Sequence, residues 1–97
     1  MLQHMKLSIK LFATIRLDTG LKLVDVNIDK AVNVVEMLKI VSDIIDFDLI
    51  DKLTENNTII PGVIILLDGV NIHHLNKLDT QITKNTTISI FPAVAGG

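Results

Sequence analysis

From Lys6 to Phe12 the chain alternates, with Leu7, Ile9 and Leu11 falling between Lys6, Ser8 and Lys10. A period of two puts the aliphatic side chains on one face of a strand and leaves the other face wet. Leu21–Ile28 reads the same way, with Val24, Val26 and Ile28 set among Lys22, Asp25 and Asn27. Between them, Ala13–Gly20 carries Arg16, Asp18, Thr19 and Gly20 and reads as a turn, which makes the two strands an antiparallel hairpin. The period then changes. Val34, Met37, Leu38, Val41, Ile44 and Ile45 follow steps of three and four, the stripe of a helix facing a core, and Val35 and Ile40 widen it. Asn33 and Glu36 have the spacing of a capping box for its first turn. Asp43, Asp46 and Asp48 break the stripe, after which Phe47, Ile50 and Leu53 predict a further helical turn.

Thr54–Thr58 is polar and reads as a loop, whereas Val63–Leu67 is apolar at every position. Such a run predicts a strand buried on both faces inside a sheet. Asp68-Gly69 is a two-residue hairpin signal because a type I′ turn needs positive φ twice, and Val70–Ile72 is the return strand. His73–Lys84 is irregular, with Leu75, Leu78 and Ile82 as anchors. Lys84-Asn85-Thr86 predicts a tight turn with Asn85 in the left-handed region. Thr87–Phe91 is a last β-branched strand, and Pro92, which cannot donate to a ladder, ends it. The order β-β-α-β-β-β predicts one α+β domain over residues 6–97: a mixed sheet of about five strands curled around one main helix. Residues 1–5 are expected to be a disordered start, and residues 92–97 a flexible tail leaving from the sheet edge.

Composition narrows the function. Apolar residues make up 48% and charged residues 21%, as in globular domains. The aromatic share of 3% (Phe12, Phe47 and Phe91) supplies no platform for stacking nucleic-acid bases. Eight lysines and Arg16 are scattered without a cluster and the net charge is −2, which argues against nucleic-acid or anionic-membrane binding. The acids Asp43, Asp46, Asp48, Asp51 and Glu55 argue instead for a basic protein partner. Without cysteine there is no disulfide, thiolate metal site or cysteine nucleophile. Met1–Lys6 lacks the form of a signal peptide, and Val63–Leu67, the longest apolar run, is too short to cross a bilayer, so a cytoplasmic protein is expected.

No self-contained active site is legible. His73 and His74 are adjacent and point apart in an extended segment, and His4 stands alone. The Asp43–Asp51 acids lack the spacing of a calcium loop, no glycine-rich nucleotide motif occurs, and Ser8, Ser42 and Ser89 have no triad partner. What remains is the ending Phe91-Pro92-Ala93-Val94-Ala95-Gly96-Gly97. Glycine has no Cβ, so a Gly-Gly end can enter a slot that other residues would block. The one chemical group there is the α-carboxylate of Gly97. A carboxylate is a poor acyl donor until a partner's ATP converts it to an acyl-adenylate, from which sulfur displaces AMP. Nothing in these residues predicts an enzyme, or a metal or cofactor of the protein's own.

That ending resembles the MoaD/ThiS family of ubiquitin-like, β-grasp sulfur carriers, in the form seen in molybdopterin synthase small subunits and small archaeal modifier proteins. Lys10-Leu11-Phe12-Ala13-Thr14-Ile15-Arg16 is similar to the family's first strand. Leu67-Asp68-Gly69-Val70-Asn71-Ile72 is similar to its central hairpin, and Leu78-Asp79-Thr80 to the segment before the last turn. Asn85-Thr86 departs from the family's Gly-Asp pair. Ala93 replaces the second proline of a Pro-Pro ending, as in carriers for cysteine biosynthesis. The resemblance implies that a ThiF/MoeB-type activating enzyme, using its own ATP and magnesium, adenylates Gly97 for conversion to a thiocarboxylate. It further implies that Phe91, Pro92, Ala93, Val94, Ala95 and Gly96 bind partners, and that a molybdopterin synthase large subunit (MoaE-like) accepts the sulfur. The same tail also suits isopeptide bonding to lysines of target proteins, or sulfur supply to thiamine, cysteine or tRNA thiolation.

Overall fold

In the computed structural model, which describes residues 4–93, β1 (Met5–Leu11) buries Met5, Leu7, Ile9 and Leu11 and turns Lys6 and Lys10 to solvent. The alternation read from the sequence therefore holds and begins one residue earlier, since Met5 belongs to the strand and not to a leading segment. β2 (Leu23–Ile28) lies antiparallel to β1. The connection between them is not a turn but a helix, α1 (Ala13–Thr19), ended by Gly20 at φ 74 with its N–H donating to the Arg16 carbonyl at 2.8 Å.

After β3 (Val32–Asn33), the main helix α2 (Val34–Ile45) starts at the expected capping box. The Glu36 N–H donates to Asn33 Oδ1 at 2.8 Å and the Asn33 N–H to Glu36 Oε1 at 2.9 Å, an arrangement that stabilises a helix start by about 1 kcal/mol. Val34, Met37, Leu38 and Val41 are buried, but Ile44, expected in the stripe, lies at its margin and is 55% exposed. The short α3 (Leu49–Leu53) follows, with Leu49 and Leu53 buried. Ser42 ties the two helices together, accepting from the Leu49 N–H at 2.9 Å and donating to the Leu38 carbonyl at 2.6 Å.

The presumed loop Thr54–Thr58 is a small hairpin, β4 (Thr54–Glu55) and β5 (Thr58–Ile59), turned by Asn56 and Asn57 at φ 52 and 62. β6 (Ile64–Leu67) and β7 (Val70–Asn71) form the hairpin read from Asp68-Gly69, whose φ values of 47 and 85 are both positive. Two 3₁₀ turns, Ile72–His74 and Lys77–Asp79, precede β8 (Gln81–Ile82), which pairs with β3. Of the three anchors expected there, Leu78 and Ile82 are buried, whereas Leu75 is 44% exposed. Asn85 is not in the left-handed region. Instead its Oδ1 accepts the Lys6 N–H at 2.8 Å.

β9 (Thr86–Phe91) completes a mixed five-stranded sheet of order β2-β1-β9-β6-β7. It runs parallel to β1 and antiparallel to β6, at the centre of the sheet and not at its edge. Ile88 and Ile90 from β9, Leu7 and Ile9 from β1, and Ile65 from β6 meet the buried stripe of α2 in one core. The helix covers only one face of the sheet. β6 is thus not buried on both sides: Ile65 and Leu67 point inward, while Ile64 is 40% exposed.

Candidate functional site

The chain leaves the sheet at the C-terminal end of β9, and three residues there were singled out in the sequence. Phe91 and Ala93 are half-buried, and Pro92 between them is buried. Val94, Ala95, Gly96 and Gly97 lie outside the described residues. What can be built is the root on which they stand.

Parallel pairing of β1 with β9 brings the ends of the two strands together, and the Phe12 N–H donates to the Ile90 carbonyl at 3.2 Å. Phe12 and Phe91 therefore stack, with ring centroids 4.2 Å apart and planes 11° from parallel. The Arg16 guanidinium carbon lies 5.1 Å from the Phe12 ring centroid, and Arg16 Nε donates to the Leu11 carbonyl at 3.0 Å. The α1 helix thus has a local purpose: its first turn brings Arg16 back over the end of β1. Ring stacking of this kind contributes about 1 kcal/mol, and the cation over the ring a similar or smaller amount.

On the other side, Ala93 packs against the core and meets Gly62. A Cβ at Gly62 would stand 3.4 Å from the Ala93 Cβ, and Gly62 itself holds φ +93, a conformation that side-chain-bearing residues rarely adopt. The Pro61-Gly62 turn therefore forms a seat for the first residue after Pro92. Gly62 carries no motif in the sequence. Its role depends on a contact across more than thirty positions, and the Pro-Gly turn signal alone gives no hint of it.

The open face of the sheet surrounds this root. Phe91 pairs with Ile64, and the next row runs through Leu66, Ser89, Lys10 and Leu23, the last 51% exposed. Lys6 bridges to Asp25 at 3.8 Å on the same face, and Ser8 Oγ donates to Asp25 Oδ1 at 3.0 Å. The surface is apolar around Phe91 and carries lysines beside it. Asp43, Asp46 and Asp48, on which a basic partner was expected, line a separate hollow at the α2–α3 junction. Electrostatically, the face at the tail root suits a partner with acidic groups.

His73 and His74 both fall in the Ile72–His74 turn and are exposed, as is His4. Among the described residues no group of three or more His, Asp or Glu is placed to hold a metal ion. No helix among them is long and apolar enough to cross a membrane.

Comparison with known proteins adds what the described residues cannot. A model of the ThiS family matches residues 9–97. Small archaeal modifier protein 3 of Haloferax volcanii is 31% identical over 93 residues, covering 96% of this chain and 100% of that protein. A putative sulfur carrier protein of Archaeoglobus fulgidus is 29% identical over 84 residues, covering 86% of this chain and 96% of that one. A Haloferax volcanii protein solved in solution superposes with a TM-score of 0.78 at 31% identity, over 97% of this chain and 88% of its own. The architecture common to them is the ubiquitin-like β-grasp.

Proposed function

The chain belongs to the ThiS family, and we propose that within it the protein is a sulfur carrier whose reacting group is the Gly97 carboxylate. One observation carries the reading: packing holds the backbone as far as Ala93, so the residues that lead to Gly97 start from a fixed root. A carrier must present its terminal carbonyl reproducibly to two different enzymes, and a root anchored at Phe91, Pro92 and Ala93 does this without chemistry of its own.

In this reading a ThiF/MoeB-type enzyme docks on the open sheet face around Phe12, Phe91 and Ile64 and draws the tail into its ATP site. A Gly97 carboxylate oxygen attacks the α-phosphorus of ATP and pyrophosphate leaves. Magnesium and ATP are the enzyme's. A persulfide then attacks the carbonyl carbon, expelling AMP, and a thiol cuts the resulting acyl disulfide to free the thiocarboxylate. The acceptor is the large subunit of a molybdopterin synthase, which the same tail enters to deliver sulfur.

A second reading has its own support. The 31% identical relative bears the name of a small archaeal modifier protein, and an adenylated Gly97 is equally open to attack by a lysine amine, which gives an isopeptide bond. Intact mass after incubation with the activating enzyme, ATP and a persulfide donor separates the two. Replacement of one oxygen by sulfur supports the carrier; conjugates to target proteins without that exchange support the modifier. If deletion of Gly97 alters neither product, the tail is idle and both readings fail.

A further inference from the structure

The helix layer holds a groove of about 630 Å³, away from the root at Phe91 and Ala93. Its walls come from α2, from α3 with the β4–β5 hairpin, and from the turns between β7 and β8. Val35, Ile50, Ile59 and Leu78 give it an apolar lining, and the first three are only half-buried. Apolar surface left in this state is stabilised when something covers it.

Charge indicates what would cover it. Lys39 on α2 and Lys77 on the turn are both exposed at the groove, with His73 beside them, and Asp79 is the one carboxylate in its lining, although Lys39 also borders the hollow of Asp43, Asp46 and Asp48. Among the described residues the ion pair within bridging distance is Lys6–Asp25, so neither groove lysine is neutralised in that way. The balance here is opposite in sign to the net −2 of the chain. Lys77 also holds φ 52, a region that glycine and asparagine adopt with less strain.

We infer that this groove is a docking site for an acidic, apolar segment of a partner protein. Such a segment sets one or two large aliphatic or aromatic side chains among aspartates and glutamates. The apolar side chains take the lining and the carboxylates reach Lys39 and Lys77, the helix-in-groove or extended-peptide mode by which small domains read short motifs. The groove lies in the layer that covers one face of the sheet, and the surface around Phe91 lies on the other. One partner can therefore hold the groove while another takes the tail. The inference stands apart from the chemistry of Gly97.

The test uses the full chain and a displayed library of random heptapeptides, followed by amide chemical-shift mapping with the enriched sequences. The expected peptides carry Asp and Glu around Leu, Ile or Phe, and shift Val35, Lys39, Ile59 and Leu78. The double variant Lys39→Glu/Lys77→Glu should weaken them about tenfold or more, and deletion of Gly97 should leave binding unchanged. The milder pair Lys39→Gln/Lys77→Gln serves if charge reversal perturbs the fold, which the sheet resonances report. Absence of enrichment, basic consensus sequences, shifts confined to the Phe91 face, or binding unaffected by either double variant would each overturn the inference. So would a concentration-dependent dimer abolished by the double variant, because a second copy would then fill the groove.

Discussion

The two ends of β9 are held in different ways. At its start the holding groups are polar and directed: the Lys6 N–H donates to Asn85 Oδ1, and the Thr87 N–H to Asp68 Oδ1, each at 2.8 Å. The Asp68 N–H returns a bond to the Thr87 carbonyl, and Thr86 Oγ1 donates to the Lys84 carbonyl, again at 2.8 Å. At its end the side-chain contacts are apolar, with Phe91 on Phe12, Pro92 buried, and Ala93 against Gly62. Directed bonds set register, where a slip of one residue would turn every side chain to the wrong face. Packing sets position without engaging side-chain polar groups, which suits the end from which a backbone is handed to another protein.

Substitutions can break or sharpen this contrast. The largest effect is expected from Ile90→Ala, since Ile90 is fully buried between the two ends and its truncation removes a core side chain. A loss of about 3 kcal/mol in urea unfolding, with both ends loosened together, is the expected outcome. Gly62→Ala comes next, at about 2 kcal/mol, from the strain of φ +93, and it sets a new Cβ in contact with the Ala93 Cβ at 3.4 Å. Gly69→Ala is its control: φ is +85, yet nothing lies within 4 Å of the added Cβ. Both should lose stability, but only Gly62→Ala should shift the Ala93 amide and slow adenylation of Gly97 beyond the stability loss. Equal adenylation rates in the two variants would remove the seat from the account.

Asp68→Ala should cost about 1 kcal/mol by leaving the Thr87 N–H without its side-chain acceptor. Hydrogen exchange should then rise at Thr87 and not at Phe91. The smallest stability change, about 1 kcal/mol or less, is expected for Phe12→Leu, which removes the stack and the ring beneath Arg16. Its signature is functional: weaker capture by the activating enzyme, measured as a higher KM, at nearly unchanged unfolding midpoint.

Much of this architecture is legible in the sequence because it rests on local chemistry. The capping box at Asn33 and Glu36 and the Asp68-Gly69 turn each need only neighbours along the chain, and both are present. The α1 helix escapes because it buries only Ile15, has no side-chain cap at Phe12 and begins at Ala13 with φ 53, leaving no apolar period to read. Its one signal, Gly20 as a left-handed stop, is also what a turn would show. The Asn56-Asn57 pair was a readable type I′ signal masked by the polarity around it. The exposure of Ile64 is illegible locally, since it depends on the sheet having one uncovered face. At the site, Phe91, Pro92 and Ala93 stand out by position, but the roles of Phe12, Arg16 and Gly62 arise from contacts with distant parts of the chain.

The central place of β9 also governs when this protein exists as a protein. On one side of β9 lies the pair β2-β1 and on the other the pair β6-β7, and only β9 bonds to both. Until Thr86–Phe91 has been synthesised, the main sheet exists only as two separate strand pairs, β2-β1 and β6-β7, and α2 has half a sheet to rest on. Joining first strand to last is the most non-local contact available, and such closures are late and slow. A product stopped before the last strand is therefore expected to lack a closed sheet, not merely its reactive end, and to be cut faster in limited proteolysis than the full chain. The order of synthesis couples completion of the fold to arrival of the residues that lead to the tail.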